Sequence, residues 1–375
     1  MKARRRATRL PGVALAAGIA GLAACLLVPA EGRTALLASY LSAFTFWSGL
    51  SIGALPLIMV HELTGGAWGG AIRRPLDAAT RALPLVALFF VPLLLGLSHL
   101  YAWARPELVA GSELLQHKRW YLDTPFFVAR TVVYFAVWIG LALGLRRDDA
   151  HPARRSAAAW SAGGLILYTL TTTFAAVDWL MALMPAWYST IFGLLVGVGH
   201  ALSALAFAIV AAIVLAVNAE RVPSDVLRDL GNLLLMLVLL WSYLAFMEYL
   251  TIWVGNQPAS ISWYVPRVLT TWRGLGVVVM LFHFAVPFVL LLSREAKRSP
   301  AVLCSIAAIV LVAHAADAIW RVIPSIETAG WRWRWTDVAA FVGIGGVWLA
   351  AVGSMLTRGA RPSAPASNSE VAYHG

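Results

Sequence analysis

ILYTLTTTFAAVDWLMALMPAWYSTIFGLLVGVGH, residues 166–200, decides the fold class. Two apolar runs flank a short Met184-Pro-Ala-Trp187 turn, with Asp178 late in the first run and His200 inside the second. In lipid every backbone polar group must be bonded within its own segment, so runs of this kind are transmembrane helices. A carboxylic acid in such a helix is expensive, and marks a functional site by default.

The composition around this stretch agrees. The 375 residues are 60% hydrophobic and 13% charged, with mean hydropathy +0.76. A soluble domain carries about 25% charged residues, so the fold class is all-α integral membrane. The net charge of +11 comes from Lys and Arg in short loops between apolar runs, the positive-inside pattern. That distribution argues against nucleic acid as a partner and for membrane lipid. Cys25 and Cys304 both lie in apolar segments, and no CxxC, CxxCH, Walker A or HExxH motif occurs. The chain therefore carries no iron–sulfur cluster or covalently bound haem of its own, and no metal site is expected. Redox chemistry would need a diffusible cofactor or a partner's centres.

Ten spans can be drawn, at residues 10–29, 35–61, 80–102, 124–145, 158–183, 188–218, 227–254, 272–293, 299–321 and 336–356. Residues 1–9 form a basic N-terminus, 10–356 a polytopic membrane domain, and 357–375 a Ser-, Pro- and Ala-rich tail expected to be disordered. Basic residues are about twice as frequent on the N-terminal side, including Arg4–Arg6, Arg73, Arg74, Arg146, Arg147, Arg154, Arg155, Lys297 and Arg298, which puts both termini in the cytoplasm. The first span is read as retained. A cleavable signal ending before Glu31 and a lipobox at Cys25 are the alternatives.

Three acids lie well inside spans: Asp178, Glu248 and Asp317. All three sit late in spans running outward, and Arg130 sits early in a span running inward. His99, His314 and Arg321 share the same outer depth. His314, Asp317 and Arg321 fall on one helix face at i, i+3 and i, i+4 spacing. His200 and His283 lie nearer mid-bilayer. Pro287 cannot donate to the carbonyl of His283, which leaves that carbonyl free. His61 and Glu62 end the second span on the cytoplasmic side, as candidates for proton uptake or as a plain helix end. The outer set reads either as proton-transfer groups with Arg130, His99 and Arg321 as quinone or ion-pair contacts, or as a structural ion-pair network. Trp331-Arg-Trp-Arg-Trp335 reads as an interfacial belt. Gly193 and Gly197 read as a site of close helix packing.

The segment TFAAVDWLMALMPAWYSTIFG resembles the hallmark segment of the F-subunit (ActF) family of alternative complex III, the bacterial quinol:cytochrome c (or other acceptor) oxidoreductase. DLGNLLLMLVLLWSYLAFMEYLTIWVGNQP, HFAVPFVLLLSREAKRSP, HAADAIWRVIP, HELTGGAWGGAIRRPLDAA, LSHLYAWARPE and KRWYLDTPFFVARTVVYF are similar as well, in the same order, over about residues 35–325. The resemblance implies an NrfD/polysulfide-reductase-like subunit of the bacterial inner membrane, with eight of ten helices in two four-helix bundles. It implies no bound haem or metal. An NrfD-like paralogue, an iron–sulfur subunit and a multihaem cytochrome c would be partners, and quinone or quinol the substrate. Two positions depart: Met247-Glu248 stands where relatives commonly have Ser-Gln, and Ala259-Ser260 where they have an acidic pair. Glu248 therefore inherits no role. A proton-coupled transporter or channel, a b-type cytochrome ligated by His200 and His283, and a purely structural anchor are the other readings.

Overall fold

The computed structural model describes residues 2–145, 154–216 and 222–358; the expected disordered tail from Gly359 onwards lies outside the described residues. Among the described residues the secondary structure is entirely helical. The principal helices are α1 (Lys2–Leu26), α2 (Arg33–Ile52), α3 (Ala54–Thr64), α4 (Ala67–Arg81), α5 (Leu83–Phe89), α6 (Val91–Leu95), α7 (Thr124–Gly144) and α8 (Arg154–Trp179). After them come α9 (Phe192–Ala216), α10 (Ser224–Gly255), α11 (Trp272–Val279), α12 (Val286–Leu292), α13 (Pro300–Val322) and α14 (Trp335–Arg358).

Among the described residues, eight segments are long and apolar enough to cross a membrane, which makes this a multi-pass membrane protein. Ten were expected, and the difference has two physical sources. The third expected span is a bent element: the polar-faced α4 meets α5 and α6 at 40°, so the pair counts as a ninth span only if taken together. Pro84 and Pro92 open α5 and α6, where the missing N–H is harmless at a helix start but ends the preceding turn. The first expected span has a shorter apolar part, Leu10–Leu26. It lies along α14, where small residues bring the backbones together: a Cβ at Gly21 would stand 2.7 Å from the Ala339 carbonyl oxygen, and one at Gly346 2.5 Å from the Gly18 nitrogen.

α9 is the central element, packed against α2, α8, α10 and α13. Leu202, Ala204, Leu205, Ala206, Ala208 and Ile209 are fully buried, whereas Leu95, Val312 and Val289 on outward faces of other helices are exposed, as lipid-facing residues should be. Gly193 packs as expected: a Cβ there would lie 2.6 Å from the Thr173 methyl of α8. The indoles of Trp331, Trp333 and Trp335 are exposed, consistent with the belt reading. Arg334 ties that segment down through ion pairs to Glu327 and Asp337.

Cross-helix bonds show which helix ends meet. The start of α7 meets the end of α8 through Arg130 and Asp178. Ser189, ahead of α9, meets α10 at Glu248, and Arg267 reaches the last carbonyls of α13. The acid-bearing ends of α8, α10 and α13 therefore lie at one end of the bundle.

Candidate functional site

The three buried acids share that end but fall into two clusters. In the first, Arg130 grips Asp178 with both arms, Nε to Oδ2 at 2.7 Å and Nη2 to Oδ1 at 3.0 Å. The Tyr134 hydroxyl donates to Oδ2 at 2.7 Å. Arg130 and Tyr134 reach the same carboxylate because they lie one turn apart on α7. Arg130 also donates to the Tyr121 carbonyl at 2.9 Å and lies over the rings of Tyr121 and Phe126, at 3.9 and 4.3 Å. Burial, followed by the Asp178 charge, pushes the Tyr121 phenol up to about 12, so it stays protonated. Asp178 is fully buried with three donors, an arrangement that holds helices together. Thr171, two turns away, accepts from Trp138 instead.

The second cluster is built from α9, α10, α13 and the segment between α11 and α12. Arg321 donates to Asp317 Oδ2 at 2.8 Å, and His314 Nδ1 stands 3.9 Å from the same oxygen. The three groups share one face of α13, as their spacing predicts. The His283 ring stacks on His314 with centroids 5.2 Å apart, and His200 meets His314 edge-on at 6.5 Å. His283 sits in a π-helical segment, Met280–Ala285, in which the Val286 amide donates to the Leu281 carbonyl five residues back. Pro287, lacking an N–H four residues after His283, is the local reason the α-helical ladder breaks there. Both ring nitrogens of His200 and of His283, and His314 Nδ1, are buried without a protein hydrogen-bond partner. Among the described residues no three His, Cys, Asp or Glu groups have the spacing to hold a metal ion. A haem ligated by His200 and His283 does not fit this packing, because His314 lies against both rings and a porphyrin would displace it.

Glu248 belongs to this second cluster. It is buried, accepts one bond from the Ser189 hydroxyl at 2.8 Å, and makes no ion pair among the described residues. Glu248, Asp317 and Arg321 line a cavity of about 480 Å³ between α10, α11 and α13, with Trp241, Trp263, Tyr264 and Trp320 as aromatic walls. Two smaller cavities of about 10 Å³ each are both lined by Thr45 and His200, and one of them also by His314, Asp317 and Arg321.

Two groups lie apart from both clusters. His99 is partly exposed on a short helix, with no ion pair or side-chain hydrogen bond among the described residues. At the far end, Glu62 pairs with Arg73 at 2.5 Å and His61 bonds the Gly66 carbonyl at 3.0 Å, contacts that fix the α3–α4 turn.

Arg267 is not among the residues that the sequence singles out, and the structure buries it completely. It lies 3.6 Å above the Trp263 ring and donates to the carbonyls of Trp320 at 3.1 Å, Trp263 at 2.6 Å and Arg321 at 2.5 Å. It thus caps the C-terminus of α13, directly behind the Asp317–Arg321 pair. The one signal available was its i, i+4 spacing from Trp263.

A scan of protein-family models finds no match to this chain, and a search of curated proteins finds none.

Proposed function

We propose that this chain is the non-redox membrane subunit of a bacterial quinol-oxidising complex of alternative complex III type, with the NrfD-like bundle arrangement that its sequence resembles. The observation that supports this best is the second cluster. A buried acid without a cation and an Asp–Arg pair line one aromatic cavity, and three packed imidazoles with unpartnered ring nitrogens adjoin the Asp–Arg pair. Buried ionisable groups in a membrane protein are concentrated where protons or polar substrates are handled. Quinol oxidation releases two protons and two electrons. The protons would pass to carboxyl or imidazole groups of this cluster. The electrons would leave through iron–sulfur or haem centres of partner subunits, since the sequence has no cysteine framework for a cluster of its own.

The test is to isolate the tagged chain from its native membrane in mild detergent, identify what co-purifies, and assay quinol oxidation with a c-type cytochrome as acceptor. The expected result is an assembly containing an iron–sulfur protein and multihaem cytochrome c that oxidises quinol. Isolation of the chain alone, with substrate-coupled proton uptake in vesicles, would overturn the reading in favour of a transporter.

A further inference from the structure

We infer that Arg273 and Arg332 form a binding site for the phosphate of an anionic phospholipid, in the leaflet at the Asp317 end of the bundle. This does not depend on the function proposed above. Both arginines stand at span boundaries: Arg273 is the second residue of the apolar run Trp272–Leu292, and Arg332 lies three residues before the run Trp335–Thr357. Three contacts gather these boundaries around the start of α2. The Trp331 amide donates to the Thr271 hydroxyl at 2.7 Å. The Ser39 hydroxyl is hydrogen-bonded to the side chains of Thr336 and Asp337 on α14. Trp272 packs with Ala38 of α2 and with Ile323, just past the end of α13.

Arg273 and Arg332 are both exposed, and neither has an ion pair or a side-chain hydrogen bond among the described residues. The acids of the same segment, Glu327 and Asp337, are taken up by Arg334. Arg130 and Arg321 are engaged by aspartates, and Lys118 and Arg267 by backbone carbonyls. Two uncompensated guanidinium groups at a membrane boundary call for an anion there. Phosphate suits them, because a guanidinium presents parallel donors to two of its oxygens. The surroundings point to a lipid. The exposed indoles of Trp331, Trp333 and Trp335 flank Arg332, and indoles settle at headgroup depth. Val277, one turn beyond Arg273 on α11, and Val338 on α14 are exposed as well, apolar surface along which acyl chains can lie. A water-soluble acidic partner could meet the arginines but not these valines, which lie within the spans. The headgroup carries net negative charge, because a zwitterionic one brings its own cation and leaves the second arginine uncompensated.

The test takes the protein in whatever assembly it is isolated, extracted in mild detergent and depleted of lipid. Native mass spectrometry then follows retention of added phosphatidylglycerol, phosphatidylcholine or glycerol 3-phosphate. Phosphatidylglycerol is expected to be retained selectively, and about tenfold more weakly by the Arg273→Gln, Arg332→Gln double variant. Each single variant should fall in between, and Arg119→Gln, at another exposed arginine, should retain it like wild type. Equal retention by wild type and the double variant overturns the inference, as does equal retention of phosphatidylcholine. Glycerol 3-phosphate held as well as the lipid would make this a site for a free anion, and also overturns it. Capture of another polypeptide in the native membrane, by a photo-crosslinker attached at Arg332→Cys, would make the patch a protein interface and overturns it too.

Discussion

Asp178→Asn separates structure from chemistry at the residue that most invites a catalytic reading. The carboxylate accepts two charge-assisted bonds from Arg130 and one from Tyr134, with no exposed surface. Removing one partner of a buried ion pair costs about 3–5 kcal/mol, mainly because the other charge is left uncompensated. Here Arg130 keeps its bond to the Tyr121 carbonyl and its stacking on two rings, and its side chain is 10% exposed. The loss should therefore fall near the lower end, about 3 kcal/mol. Heating the purified complex and following tryptophan fluorescence and monodisperse elution should show unfolding several degrees below wild type. Replacing both partners, Asp178→Leu with Arg130→Leu, should recover much of the loss, because no lone charge remains buried. Wild-type thermal stability in Asp178→Asn, together with lost turnover, would refute the clamp reading.

The other expectations concern different parts of the molecule. Glu248→Gln should fold normally, since the Ser189 hydroxyl can still donate to the amide oxygen, but should alter the pH profile of quinol oxidation by removing one titratable group; an unchanged profile would count against proton exchange there. Arg267→Met should lower thermal stability by about 3 kcal/mol or more, because several buried carbonyls lose their donor at about 1–3 kcal/mol each; stability within error of wild type would contradict the capping role. Gly346→Val should push α1 away from α14, with buried Cys25 becoming reactive to maleimide in detergent as the readout.

The helical class and most span boundaries were legible because apolar length is a strong local signal, as in the segment running from Ser224 to Gly255. The common depth of Asp178, Glu248, Asp317 and Arg130 was legible from position along each span and the alternating direction of the helices. Their division into two clusters was not, because it depends on which helices are neighbours. Arg130 and Asp178 are 48 residues apart, and nothing local shows that they meet while Glu248 turns towards α13. The break at His283 was half legible: Pro287 announces a freed carbonyl, but not that the chain absorbs it as a π-helical turn. The burial of Arg267 was hidden because a loop arginine beside prolines and aromatics looks interfacial. Only the path of the chain after α10 brings it under the end of α13.

The most direct test compares Asp317→Asn with Asp178→Asn in the same purified complex, measuring quinol oxidation per folded complex. Under the proposed function the chemistry takes place at the Asp317–Arg321 cavity, and Asp178 holds α7 against α8. Asp317→Asn is therefore expected to lose most turnover while folded Asp178→Asn keeps it. Full turnover in folded Asp317→Asn, with turnover lost in folded Asp178→Asn, would contradict it.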